Sequence, residues 1–226
     1  MLAHQSSSLR PASPALMSNR LDDHIGPAGL RSIAHIKRFR REQDIYSQGD
    51  RNDTWYRVLA GAARKYLMRA DGRRHIVDIH LPGDFFGFSS RNCHRFGVQA
   101  VADRTVIVYY PRQRFEAALD EDPELAREIR TECFDAIDRL QEQALVIGTM
   151  TAQEKVLAFL TYFCDRLSAA YDSGGELPIS RYDIADLLGI SAETVCRAFT
   201  ELQRRGALSL DGPRRISLRR RSRHYE

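Results

Sequence analysis

Glu193 and Arg197 stand four residues apart in the segment Ser180 to Gly206, SRYDIADLLGISAETVCRAFTELQRRG, so on a helix they share one face. A glutamate accepts from the amino group of cytosine, and an arginine donates two parallel bonds to O6 and N7 of guanine. Together the two have the chemistry to read one G·C pair or two neighbouring pairs. The alternative is an i, i+4 ion pair on a solvated surface. That pair would contribute only about 0.2–0.5 kcal/mol, against about 1–3 kcal/mol of discrimination for a good bidentate base contact.

The elements that must position these residues are written around them. Ser180 is placed to cap a first helix, with Asp183 three residues on in the capping-box position, and Ile184, Ala185 and Leu188 supply its inward face. Gly189 permits the positive φ of a tight turn, and Ser191 is placed to cap a second helix. On that helix Val195, Phe199 and Leu202 face back into the domain. Ala192, Glu193, Cys196, Arg197 and Thr200 face outward. The pattern is a helix-turn-helix, whose second helix presents its N-terminal residues to base edges. The expected base-reading set is Glu193, Cys196 and Arg197. Ser180, Ser191, Ala192, Thr194, Thr200 and Arg204 are expected to touch the backbone or assist.

After Gly206, ALSLDGPRRISLRRR alternates around Asp211-Gly212, the signature of a hairpin, and reads as a wing. Arg214 and Arg215 would then lie beside a duplex and hold phosphate, giving affinity without sequence information. Arg219, Arg220, Arg221 and Arg223 follow; a solvated basic tail is the other reading of this run.

Upstream, from about Ile45 to Tyr110, short alternating segments are separated by glycine-bearing turns, including an Asp71-Gly72 hairpin flanked by Tyr66, Met68, Ile76 and Ile79. No helix-length segment intervenes, so a barrel, roll or sandwich is expected. From Pro123 onward Leu125, Ile129, Cys133, Ile137, Leu140, Ala144 and Ile147 form one stripe on a long helix. Asp122 is its expected N-cap, Pro123 its first residue and Gly148 its end. The near-heptad spacing predicts a dimer seam; packing of the stripe on the helix's own β-domain is the alternative. Thr151 to Leu167 reads as a further helix, with Val156, Leu157, Leu160, Phe163 and Cys164 inward, and Ser173-Gly174-Gly175 as a loop. The fold class expected is α+β: a leader without structure over 1–24, a β-roll domain over 25–119, a dimerisation helix over 120–149, and a winged helix-turn-helix over 150–226.

Composition sets the outer limits. The chain has 226 residues, 43% hydrophobic and 28% charged, with a formal charge of +4 and a pI near 9.0. These values suit a nucleic-acid binder without requiring one. No apolar run approaches the roughly 20 residues of a spanning helix, and the first residues carry too weak an apolar run to read as a secretory signal. Cys93, Cys133, Cys164 and Cys196 are far apart, with no CxxC pair, so free thiols in a reducing cytoplasm are expected, and no metal or cofactor. Cys93-His94 with the distant His80 is weak grounds for a metal or haem site. No G-x-S-x-G, Walker or HExxH motif is present, so no enzyme is expected.

The order β-roll, long helix, winged helix-turn-helix, with PGDFFGF and ISRYDIADLLGISAETVCRAFTELQRRGAL, resembles the CRP/FNR superfamily from about Ile33 to Leu218. Within it, Glu193-Thr194-Val195-Cys196-Arg197 looks most like the FixK branch. The resemblance implies a homodimer on a double-stranded DNA palindrome with TTG and CAA half-site ends. It also implies contact with RNA polymerase during activation, and a role in a low-oxygen response. Two departures matter. No cysteine precedes Cys93, so an FNR-type cluster is not expected. Where cyclic-AMP binders carry glutamate after the cassette glycine and an Arg-Ser pair later, Gly87 is followed by Phe88 and Arg95 by Phe96. A cyclic-nucleotide-responsive regulator is therefore the rival reading. Cys196 adds a candidate redox switch, since its oxidation would place negative charge beside phosphates; the alternative is an incidental small residue.

Overall fold

The computed structural model describes residues 26–170, 177–211 and 215–218. The expected leader, the Ser173–Gly175 loop, Gly212, Arg214 and the arginines from 219 onward lie outside the described residues.

A 3₁₀ turn over Ala28–Ile33 leads into eight strands: β1 (His35–Phe39), β2 (Asp44–Tyr46), β3 (Thr54–Ala60), β4 (Ala63–Met68), β5 (Arg74–His80), β6 (Phe85–Phe86), β7 (Gly97–Ala100) and β8 (Thr105–Pro111). They form two antiparallel sheets of four, ordered β1-β8-β3-β6 and β2-β7-β4-β5. Alternating burial explains the layering. Phe39, Tyr46, Val58, Ala63, Phe86, Val98, Ala100 and Ile107 point inward and close a shared core. The β4–β5 hairpin turns where Asp-Gly predicts it, with Gly72 at φ 78° and the Asp71 carboxylate accepting from Arg73 N at 3.0 Å. Gly61, at φ 79°, is required by close approach: a Cβ there would stand 2.8 Å from Thr105 Cα.

Five helices follow: α1 (Arg112–Glu121), α2 (Pro123–Thr149), α3 (Ala152–Ala170), α4 (Arg181–Leu188) and α5 (Ala192–Arg204). A hairpin of β9 (Leu208–Asp211) and β10 (Arg215–Leu218) closes the described chain, with Ser209 opposite Ser217. Asp122 caps α2, its carboxylate accepting from Glu124 N and Leu125 N, and Pro123 opens the helix. Gly148 does not end it. The helix runs on to Thr149, because an isolated glycine adopts helical angles at a cost of only about 1 kcal/mol.

The stripe expected to form a dimer seam is divided. Leu125 and Ile129 are buried within the chain, with Leu30, Leu59, Phe85, Tyr110 and Phe115, and Cys133 packs against the same cluster. Their hydrophobic face is satisfied by the β-roll and α1, so these three are corrected from seam to core. Ile137 and Leu140 are about half exposed, as are the unanticipated Phe134 and Leu145. Ala144 is exposed and Ile147 half-buried. On α3, Val156, Leu160 and Phe163 are buried as expected, joined by Phe159 and Leu167. Leu157 lies on the outer side at 37% exposure.

The β-roll and the helical region are not separate cores. Tyr66, Ile76, Ile79 and Leu81 of the roll belong to the same buried cluster as Val156 and Phe163 of α3, Ile184 and Leu188 of α4, and Phe199 of α5. Burying each such side chain contributes about 1.5–3 kcal/mol. This shared apolar seam sets how the last two helices sit.

Candidate nucleic-acid interface

Local chemistry builds the helix pair. Ser180 Oγ accepts from Asp183 N at 3.1 Å, and the Asp183 carboxylate accepts from Ser180 N at 3.0 Å. This reciprocal capping box starts α4. Gly189 ends it in the left-handed region, φ 64°. Ser191 Oγ accepts from Thr194 N at 3.0 Å and starts α5.

On α5 the inward residues Val195, Ala198, Phe199 and Leu202 are all buried. The Arg181 guanidinium lies over the Phe199 ring, 4.3 Å from its centroid, tying α4 to α5 from outside. Glu193, Cys196, Arg197 and Thr200 are exposed. One rigid element therefore holds an acceptor, a thiol, a guanidinium and a hydroxyl on a single open face. Glu193 and Arg197 pair with each other, Oε1 to Nη2 2.5 Å, at 72% and 79% side-chain exposure. So exposed a pair is worth a few tenths of a kcal/mol, less than the base contact that would replace it.

The supporting residues are differently placed. Thr200 Oγ1 donates to Cys196 O at 3.1 Å. Thr194 is half-buried, its hydroxyl 2.7 Å from Ser191 Oγ. Ala192 is half-buried against the core, so its first-turn N–H rather than its methyl is what it offers an anion. The Ser180 hydroxyl is engaged by Asp183. Arg204 forks onto Glu201 at 2.7 and 2.8 Å, and Arg205 joins the same carboxylate. These arginines hold the Glu201 carboxyl down to about 2. Arg215 lies in β10, paired with Asp211 in register.

Sequence reasoning missed what fixes the pair on the β-roll. Asp183 also binds Arg64 of β4, Nη1 to Oδ1 2.9 Å, with both side chains almost wholly buried. Arg74 of β5 reaches the same oxygen at 3.2 Å. One turn further along α4, Asp186 accepts from Ile76 N at 3.1 Å and lies 3.1 Å from His75 Nδ1. Arg64 also contacts Glu42 and Gln99. A second tie joins Asp84 to Arg166 of α3. The only available signal was Asp183 itself, which local reading explained fully as a cap.

Inside the β-roll, Phe88 follows Gly87 (φ 89°) and packs edge-on against Trp55, ring centroids 4.7 Å apart. Phe85 and Phe115 complete an aromatic cluster around it. Arg91 precedes Arg95 and is followed by Asn92, so neither arginine begins an Arg-Ser pair.

A two-sheet roll joined by a long helix to a winged helix-turn-helix defines a regulator of the Crp type. A cyclic nucleotide-binding domain model matches residues 36–122, and a Crp-like helix-turn-helix model matches 154–223. The chain belongs to the CRP/FNR family of DNA-binding transcription regulators and is FixK-like. It is 36% identical to the nitrogen fixation regulation protein FixK of Rhizobium meliloti over 199 residues, 87% of this chain and 88% of that protein. The FixK of Bradyrhizobium diazoefficiens is 34% identical, covering 87% of this chain and 84% of its own. The structure of FixK2 from Bradyrhizobium japonicum superposes with a TM-score of 0.76 at 35% identity, over 83% of this chain and 93% of that one. Among the described residues no helix is long and apolar enough to cross a membrane.

Proposed function

We propose that this protein works as a homodimer in the cytoplasm, setting two α5 helices into successive major grooves about 34 Å apart on a palindrome with TTG and CAA ends. Glu193 and Arg197 read base edges, Cys196 lies against them, and Ser191, Thr194, Thr200, Arg204, Arg214 and Arg215 serve the backbone. The observation that carries this reading is the single exposed face of α5, anchored from behind by buried Val195, Phe199 and Leu202. The exposed Phe134, Ile137, Leu140 and Leu145 supply the seam for the second copy. The chain divides into a β-roll over 25–119, the dimer helix over 120–149 and a reading domain over 150–226. Activation through RNA polymerase in a low-oxygen response completes the reading, supported by the FixK relatives. Oxidation of exposed Cys196 would add charge at the reading face and release the DNA.

Cyclic-nucleotide control is the rival, favoured by the domain model over 36–122. Against it stands Phe88, an aromatic ring where a ribose-binding carboxylate would be needed. Calorimetry with cyclic AMP and cyclic GMP decides: our reading expects no heat. Footprinting the purified protein on a TTG/CAA inverted repeat tests the main claim, with symmetric protection of both half-sites expected and protection of one alone contradicting it.

A further inference from the structure

We infer that Asp84 is a positioning residue that fixes the angle between α2 and α3, and through it the distance between the two reading helices of a dimer. The role rests on the palindrome-binding dimer proposed above.

The joint between the two helices does not hold an angle by itself. Met150 and Thr151 alone separate α2 from α3; Met150 is extended (ψ 152°), and Glu154 accepts from Thr151 N at 2.8 Å as the next helix begins. Two residues with soft backbone dihedrals leave the angle open. Beyond the joint α3 and α5 move together, since Val156, Leu160 and Phe163 share one buried cluster with Val195, Phe199 and Leu202.

Asp84 closes a triangle across this joint. Its Oδ2 accepts from Leu81 N at 2.8 Å, Asp84 N donates to Leu81 O at 3.0 Å and Asp84 O accepts from Val58 N at 3.0 Å, so the carboxylate is fixed to the β-roll. It is 6% exposed. The other oxygen, Oδ1, meets both helices: Arg166 Nη2 of α3 contacts it, and Arg139 Nη2 of α2 lies 3.8 Å away. Arg166 is aligned on its own helix by donating to Tyr162 Oη at 3.1 Å. The α2 arm is held to the roll a second time, where Gln143 Nε2 donates to Val77 O at 3.4 Å. Apolar packing of α3 on the roll is non-directional and tolerates sliding, whereas a charge-assisted bond to a fixed carboxylate does not. The Arg64–Asp183 pair holds α4 to the roll; Asp84 reaches both arms of the joint.

The lever is long. At about 1.5 Å of rise per residue Arg166 stands about 21 Å along α3 from its start, so a swing of about 10° moves it by about one 3.4 Å base-pair step. Each copy would misplace its reading helix by a similar amount.

The test compares the full-length protein with Asp84→Asn and with Arg166→Met. The asparagine keeps an acceptor for Leu81 N and removes the charge that the arginines hold; circular dichroism and sedimentation report whether each variant is folded and dimeric. Affinities are measured by fluorescence anisotropy on TTG/CAA inverted repeats with the wild type's preferred spacer and with spacers one base pair shorter and longer, on a single half-site, and on a scrambled duplex. In both variants the preference for the best spacer over its neighbours should fall about tenfold, the factor that one charge-assisted hydrogen bond carries. The preference for a half-site over scrambled DNA should stay as in the wild type. Global destabilisation does not give this pattern, because an unfolded fraction cancels from both ratios. Unchanged spacer preference in a folded variant overturns the inference, and so does equal loss of both preferences, which would make Asp84 a prop of the fold alone. Should Asp84→Asn fail to fold or dimerise, Arg166→Met decides on the same two ratios; failure of both overturns the inference in the same way. A wild type that prefers a half-site yet ignores spacing overturns it too. A wild type that distinguishes neither repeat nor half-site from scrambled DNA overturns the DNA-binding reading itself.

Discussion

Arg64 and Asp183 lie 119 residues apart in sequence and meet at 2.9 Å in a buried ion pair that joins the β-roll to the first turn of the helix-turn-helix. The same carboxylate caps α4. The residue that starts the helix is thus also the one that docks it.

Removing one member of a buried pair leaves the other charge uncompensated, at a cost of about 3–5 kcal/mol. Arg74 stays within 3.2 Å of Asp183, so Arg64→Met should fall at the lower end, about 3 kcal/mol by urea denaturation. An unchanged urea midpoint would show that the tie contributes nothing to docking.

The cap of α5 separates stability from binding. Ser191→Ala should cost about 1 kcal/mol of stability. Ser191→Asp should keep the cap and its stability, yet bind DNA more weakly because a carboxylate then faces phosphate. Undiminished affinity in Ser191→Asp would move the backbone away from this helix end.

The long helix gives two opposite outcomes. Leu125→Ala opens a cavity in the protomer core and should destabilise it by about 2–5 kcal/mol. Leu140→Asp touches no core cluster and should yield a folded species that sediments as a monomer. A Leu140→Asp protein that remains dimeric would place the seam elsewhere.

Burial holds the imidazoles of His80 and His94 below their ordinary value of 6.5, and Nε2 of each has no hydrogen-bond partner among the described residues. Below about pH 6.5 the unfolded chain binds protons that the folded protein refuses, so stability falls as pH drops; above that the contribution is level. Urea midpoints should be flat from neutral upward and decline toward pH 5 in the wild type, and decline less in His80→Leu. Identical acid profiles would mean His80 does not drive the loss.

Caps and turns are legible in the sequence because their physics is local: Ser180, Gly189 and Ser191 each act within four residues, and Asp-Gly alone places the β4–β5 turn. Periodicity reveals the apolar face of α2 but not what covers it. Leu125 and Leu140 share one stripe and one side-chain chemistry, and they differ only because α1 and the β-roll reach the first. Phe134 and Leu145 lie outside the register of that stripe. The Arg64–Asp183 tie leaves no pattern, since a contact between distant strands and helices depends on the assembled core rather than on spacing.

If Arg197 reads a base, sequence preference must rest on its guanidinium. Competition of the TTG/CAA duplex against a scrambled one, for wild type and Arg197→Ala, measures that preference. The variant should lose about 1–3 kcal/mol of preference per half-site, while binding to scrambled DNA is nearly unchanged. Equal weakening on both duplexes would contradict it.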